Sequence, residues 1–433
     1  MRVLLIAGFL DEEVRKQDIF KKDSPFIHKL VRLFKLPPRV GNLNDHAPWV
    51  RGIISFLETQ EDIDLHVFGP QIRLKKHLTE FESRGVKYHF YTSEWTSLLR
   101  KLNRYKLWKR LINADFYFKK VLSKVNPDLV VLSGAENPAT SVSILYADKY
   151  PRFCLCQTIY NNPERAKYNA PNRLKQEMEK DIFSKLHFFG VYSKMHYDLL
   201  REMKPDAIIF KYGYPSKGVL LEPSEVEKMY DFVNFALMHG SRKGTTDSIQ
   251  ALAIVKQKFP NVTLNIVGGC DESGRAKLEN EVKELGLEEN VIFTPFFEKK
   301  RDLLLHVQKS RFAVLPCKLD HTSGTMTQSM QLGLPLVVYK TTGTPTFNRE
   351  KECVLIAEKG NVEELAQHML TLMENPEKAK LLARNAREYQ EKKVENNKVN
   401  GDRLVANFKA IIENYQHGTP IPQEQLFNPE NED

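Results

Sequence analysis

Residues 231–267 read DFVNFALMHGSRKGTTDSIQALAIVKQKFPNVTLNIV. An apolar run at 232–238 ends at His239-Gly240, a helical stretch occupies about 246–258, and a second apolar run fills 262–267. Strand, glycine-bearing turn, helix and strand make a βαβ unit, the repeat of a parallel sheet with helical crossovers. Working outward, the same alternation gives strands at 291–293, 312–315, 336–339 and 354–356. Upstream it gives strands at 3–7, 65–68, 88–91, 129–132, 153–158, 188–192 and 208–212. The reading predicts an α/β chain of two Rossmann-like doubly wound domains, whose carboxyl strand ends meet at a central cleft that holds the ligands. The expected boundaries are 1–217 for an N-terminal domain and 218–400 for a C-terminal domain. Residues 401–433 complete a long helix (376–414) and add a tail. PSKGVLLEP at 215–223 reads as the linker, and the proline-containing tail from 418 is expected to be loosely ordered.

Composition excludes several classes. At 433 residues with 42% hydrophobic content the chain supports two or three cores and lacks a disordered signature. The apolar run at 3–10 is far shorter than the ~18 residues of a membrane span. It is followed by Asp11-Glu12-Glu13 rather than a small-residue cleavage site, so a cytoplasmic protein without a secretory signal is expected. Five cysteines without a CxxC argue against a disulfide framework or a zinc site.

The net charge of +9 is unevenly spread. Residues 1–220 hold 37 Lys+Arg and 24 Asp+Glu, whereas residues 221–433 hold 27 and 31. Within the basic half, 95–124 carries nine cations and one carboxylate, Asp115, with apolar residues at helical spacing among them. The segment 20–39 has the same character. Basic amphipathic helices suit an anionic membrane surface, which would place the protein peripherally on the inner face of the cytoplasmic membrane. The other reading is a solvated outer face over the domain's own core. No nucleic-acid-binding pattern accompanies the charge, so nucleic acid is not an expected partner.

His239-Gly240-Ser241-Arg242-Lys243-Gly244 leaves a strand and enters a helix. Glycines permit close backbone approach, the helix start presents unpaired N–H groups, and Arg242 and Lys243 add two cations, which is chemistry for a diphosphate. Residues 290–338 read NVIFTPFFEKKRDLLLHVQKSRFAVLPCKLDHTSGTMTQSMQLGLPLVV. With HGSRKG, this stretch resembles the retaining family 4 glycosyltransferases of GT-B fold, the group 1 glycosyltransferases. In that family a "GR…KG" turn binds the donor diphosphate, an "NVxFxGF" strand borders the base, and a Glu-x7-Glu motif precedes "AMAxGxPVV". Here Phe293-Thr294-Pro295-Phe296-Phe297 stands at the second motif, and Ser329-Met330-Gln331-Leu332-Gly333-Leu334-Pro335 at the end of the third. Asp320 and Gln328 keep the spacing of eight but replace both glutamates.

The resemblance implies a retaining hexosyltransferase that moves a sugar from a UDP- or GDP-linked donor to a glycan or lipid-linked glycan, in surface polysaccharide synthesis. Arg242, Lys243 and Asp320 would be catalytic. Gly240, Ser241, Phe296, Ser323, Gly324, Thr325, Met326 and Gln328 would bind the donor; Asp320 and Gln328 could instead be a helix cap and a surface amide. Neither cofactor nor metal is expected, because the two cations supply the counter-charge. On the acceptor side His46, Glu136, Asn137 and Tyr160 are candidates. Glu136 could orient a hydroxyl, take its proton, or simply be a loop carboxylate. The replaced glutamates leave open a nucleotide-sugar-binding subunit that has lost catalysis, and a nucleotide-sugar epimerase shares the fold.

Overall fold

The computed structural model describes residues 1–21, 47–93, 114–166, 172–215, 220–297, 299–319 and 322–432. Contacts divide them into two compact units, 1–217 with 396–433, and 218–395.

The first unit is built on an eight-stranded sheet. Its strands are β1 (Arg2–Ile6), β2 (Asp64–Gln71), β3 (Leu78–Ser83), β4 (Val86–Thr92), β5 (Leu129–Ser133), β6 (Arg152–Leu155), β7 (Phe188–Val191) and β8 (Ile208–Lys211). Their order is β3-β4-β2-β1-β5-β6-β7-β8. All pairs are parallel except β3 with β4. β1 shows why an unbroken apolar run becomes a central strand: Leu4 and Ile6 pack into one face's core, Val3, Leu5 and Ala7 into the other's. The edge strand β3 escapes the sequence reading because exposed Glu80 and Glu82 alternate with inward Thr79 and Phe81, leaving few apolar residues in the run.

The second unit has six parallel strands: β9 (Tyr230–Met238), β10 (Leu264–Gly269), β11 (Val291–Thr294), β12 (Ser310–Leu315), β13 (Leu336–Tyr339) and β14 (Leu355–Ala357). The order is β11-β10-β9-β12-β13-β14. Apolar cores again cover both faces.

The chain's end differs from expectation. A single helix, Pro376–His417, contributes Ala379, Leu382 and Ala386 to the second unit's cores, and Leu404, Val405, Phe408 and Ile411 to a core of the first. The segment 396–400, expected with the second domain, therefore belongs to the first unit. The tail is also packed. Phe427 is buried, its N–H donates to Ile209 O at 2.9 Å, and its ring stacks on Tyr197 with centroids 5.3 Å apart. Leu426 bridges Phe210 on β8, so one aromatic and one strand edge supply the anchor that composition did not reveal. Of the basic segments, most of 20–39 and 95–113 lie outside the described residues. The remainder forms the helix Ala114–Val125, which buries Phe118, Val121 and Leu122 against the sheet while Lys124 pairs with Glu80 and Phe116 stays exposed.

Phe427→Ala should destabilise the first unit by about 3–5 kcal/mol, the usual loss for a buried phenylalanine. The check is a lowered first-unit transition in chemical denaturation, with hydrogen-exchange protection lost along β8.

Candidate functional site

In the second sheet the chain runs from β9 outward to β10 and β11, then returns to lay β12 on the other side of β9. The crevice at this reversal is where doubly wound sheets bind ligands. The two loops bordering it are the ones that leave β9 and β12.

After β9 come His239, Gly240, a tight 3-10 turn (Ser241–Lys243), Gly244 and the helix Thr245–Lys256. Gly244 has φ +67°, and a Cβ there would stand 2.1 Å from Pro316 O, so no other residue fits between the two loops. Lys318 N–H then donates to Arg242 O at 2.9 Å, pinning the post-β12 loop to the basic turn. Beneath it Asp247, buried in the helix's first turn, receives Lys318 Nζ at 2.7 Å and Tyr339 OH at 2.8 Å. Burial, then the Asp247 carboxylate, push the Tyr339 hydroxyl well above its ordinary range and keep it a donor. His239 is structural: its Nε2 lies 2.9 Å from Val267 O and its Nδ1 2.9 Å from Thr245 Oγ1, and burial pushes its pKa down. With Nε2–H donating to the carbonyl, Nδ1 accepts from the threonine, a tautomer inferred from these partners.

The turn thus presents Arg242 and Lys243, both half-buried, on a frame braced by Asp247, Lys318 and Tyr339. A Cβ on Gly240 or on Gly324 would meet nothing within 4 Å, so open space adjoins both positions. The helix Gly324–Gln331 follows β12, and here two expectations change. Ser323 is buried and caps this helix, accepting from Met326 N–H and lying 2.8 Å from Thr325 Oγ1, so its hydroxyl is already engaged. Met326 is fully buried in the core, so its side chain does not line the crevice. Gln328 is half-buried on the second turn. Phe296, beyond the edge strand β11, is 40% exposed, and Ser241 is described by its backbone alone. Asp320 lies outside the described residues.

The first sheet reverses between β1 and β5. The loops leaving these strands also meet: a Cβ on Gly8 would stand 2.6 Å from Thr140 Oγ1 and 3.4 Å from Asn137 Nδ2. After β5, Gly134 at φ +82° turns the chain so that Glu136 folds back over it; a Cβ on Gly134 would lie 2.5 Å from Glu136 Oε2. Glu136 is half-buried as a residue, yet Oε2 is enclosed and has no hydrogen-bond partner among the described residues. Burial, reinforced by the Glu179 charge, raises its carboxyl to about 7. Asn137 is exposed, and Tyr160 sits in the loop after β6. That loop is held by Glu179, fully buried on the helix Arg173–Lys185, which no sequence signal singled out. His46 lies outside the described residues.

Sequence reasoning singled out Arg242 and Lys243 and passed over Asp247, Lys318, Tyr339 and Glu179. Each acts through a partner distant in sequence. Among the described residues no cluster of His, Cys, Asp and Glu forms a metal site, and no helix is long and apolar enough to cross a membrane.

Residues 223–389 match the family model described as glycosyl transferases group 1. A search of curated proteins finds no match. Among solved structures, sucrose-phosphate synthase from Thermosynechococcus elongatus superposes with a TM-score of 0.66 at 14% identity, covering 94% of this chain and 98% of its own. A trehalose-6-phosphate protein from E. coli bound with UDP-2-fluoro glucose gives 0.66 at 10% identity, covering 94% and 99%. Anabaena HepE in complex with UDP and glucose gives 0.61 at 13% identity, also covering 94% and 99%. Residues 223–389 therefore form a group 1 glycosyltransferase domain, and the chain, with its two parallel-sheet units, has the GT-B glycosyltransferase fold.

Proposed function

We propose that the protein transfers a sugar from a nucleoside-diphosphate donor to a hydroxyl of a glycan or lipid-linked glycan acceptor, with retention at the anomeric carbon and without a divalent metal. One observation carries the reading: at the reversal of the second sheet, the turn bearing Arg242 and Lys243 is locked to the post-β12 loop beside open space. UDP in the HepE structure and UDP-2-fluoro glucose in the E. coli structure support a UDP-linked donor.

In the proposed reaction the bond from the anomeric carbon to the phosphate oxygen breaks and its electron pair leaves with the diphosphate. The acceptor oxygen forms the new bond to that carbon. Negative charge grows on the leaving oxygen, so cations held in place before the reaction lower the barrier more than they strengthen donor binding. Arg242 and Lys243 take this role, with Asp320 at the donor sugar and Gln328 accepting from a ribose hydroxyl. The first unit serves the acceptor. Glu136, with Asn137 nearby, is the carboxylate that takes the acceptor proton as its oxygen attacks. The setting is surface polysaccharide assembly, with 20–39 and 95–124 attaching the protein peripherally to an anionic membrane.

The donor assignment is tested by nucleotide release and product anomer analysis in excess EDTA. Arg242→Ala and Lys243→Ala should each lose about 1.5–3 kcal/mol of transition-state stabilisation, the range for hydrogen bonds to charged groups. Near-normal kcat/KM in the double variant, or activity that returns only with Mg²⁺ or Mn²⁺, would overturn it.

Glu136 gives a pH signature. Its carboxyl is raised from 4.5 to about 7 on folding, so the folded state holds the proton longer than the unfolded one, and stability falls as pH rises from about 4.5 to about 7. As the base, it should make kcat/KM rise with pH through about 7. Glu136→Gln should remove both dependences, read by denaturation and by the pH–rate profile, and slow turnover by about 10²–10⁴-fold.

Membrane attachment should appear as co-sedimentation with anionic but not neutral vesicles, reversed by salt as the Debye length falls from about 10 Å at 0.1 M to about 3 Å at 1 M. Indifference to anionic vesicles at low salt would leave the cations as a solvated face.

A further inference from the structure

Four side chains on one face of the first sheet form a continuous chain of contacts. His66 on β2 and His89 on β4 are both buried. His66 Nδ1 lies 3.0 Å from His89 Nε2, and the ring planes are 9° apart with centroids at 5.3 Å, so the rings meet edge to edge. At the ends, His89 Nδ1 lies 2.7 Å from Glu80 Oε1 on β3, and His66 Nε2 lies 3.4 Å from Asp64 Oδ1 on β2. Cations brace both carboxylates. Lys87 Nζ on β4 and Arg2 Nε on β1 reach Asp64 at 2.8 and 3.3 Å, and Lys124 Nζ on the helix Ala114–Val125 reaches Glu80 at 2.8 Å. Glu82 stands opposite Lys87 in the β3–β4 register.

Counting protons along this chain shows what it tolerates. An ionised carboxylate can only accept, whereas a neutral imidazole donates from one nitrogen and accepts at the other. Two neutral rings thus bring two protons to three contacts. The shortest contact places a proton on His89 Nδ1, facing Glu80. His89 Nε2 then accepts from His66 Nδ1–H, and His66 Nε2 is left bare toward Asp64, across the longest of the three. These tautomers are inferred from the partners. One added proton fits at His66 Nε2, where it completes the bond to Asp64. A further proton has only His89 Nε2 to occupy. It would set two N–H groups and two imidazolium charges head to head at 3.0 Å, and it would remove the acceptor that joins β2 to β4 at this point.

We infer that the chain Asp64–His66–His89–Glu80 is an acid-sensitive latch, which holds the β3–β4 edge of the first sheet to β2 while it carries at most one extra proton and loosens that edge on taking a second. Burial pushes both histidines below their ordinary range, with the Asp64 and Glu80 carboxylates opposing it. Once the edge opens, each ring is free to bind a proton near its ordinary value of 6.5, one more in total than the closed latch accepts. Opening therefore gains on closure as pH falls below about 6.5, tenfold per pH unit for each proton in excess. The direction is opposite to that set by Glu136.

The test is hydrogen exchange on the full-length protein between about pH 7.5 and about pH 5.5, corrected for the intrinsic pH dependence of the amides, with spectra of ¹⁵N-labelled histidine counting the protons. Both rings should show the Nδ1–H tautomer at the upper pH, and one alone should become imidazolium while the edge stays closed. Protection along β3 and β4 should then fall about tenfold or more relative to the central strands β1 and β5. His89→Gln keeps a donor for Glu80 and an acceptor for His66 but takes no proton, so the relative loss should shrink below about threefold, with protection at the upper pH retained. If that variant does not fold, His66→Gln carries the test, since its amide can turn to accept from a protonated His89. The wild-type spectra decide alone if neither variant folds. An equal loss of protection in wild type and the glutamine variant, or two imidazolium rings in a wild type whose β3–β4 amides stay protected, would overturn the inference.

Discussion

The two loops at the reversal of the second sheet depend on one buried carboxylate. Asp247 joins the helix after β9 to Lys318 on the post-β12 loop and to Tyr339 at the end of β13, which gathers three chain segments at the reversal of the sheet. Removing one member of such a buried set leaves the others desolvated and unpaired, a cost of about 3–5 kcal/mol. The close approach of Gly244 to Pro316 O has meaning only while those loops stay together. In the proposed reaction Arg242 and Lys243 act from a turn that is tied to the post-β12 loop. Catalysis by charge needs that preorganisation.

The first unit carries two glutamates with enclosed carboxylate oxygens, and the difference between them lies in their hydrogen bonds. Glu179 has three N–H donors and works as a clamp on the loop after β6. Glu136 has an enclosed oxygen with no partner among the described residues, and its proton affinity rises into the neutral range. Burial raises the pKa of both, aided at Glu136 by the Glu179 charge, while at Glu179 the N–H donors of Tyr160 and Asn161 act in the opposite direction. In the proposed reaction Glu136 is the chemically active glutamate and Glu179 the structural one.

Hydroxyls after β12 illustrate a similar division. Ser323 was expected to serve a phosphate, yet helix capping claims it first, since an uncapped helix start leaves N–H groups unsatisfied. Met326 follows in the core. What the helix Gly324–Gln331 retains for a ligand is its open glycine start and the half-buried Gln328.

How much was legible in the sequence follows from the range of each interaction. Strand runs such as 232–238 and 336–339, the helix after Gly244 and the basic turn itself are local patterns: period, turn chemistry and charge are written in neighbouring residues, so the doubly wound architecture and the donor motif could be read directly. The edge strand β3 could not, because an exposed edge tolerates charge and its six residues include only two apolar ones, Leu78 and Phe81. Phe427 was equally silent, since one aromatic in a polar tail becomes an anchor only where β8 offers an edge and Tyr197 a ring. Asp247, Lys318 and Tyr339 lie up to 92 residues apart, and Glu136 and Glu179 look alike as letters. Sequence by itself determined where strands end and where glycines and cations gather in one turn. Only the tertiary structure decided which buried carboxylates are satisfied, because desolvation and hydrogen-bond partners are properties of packing.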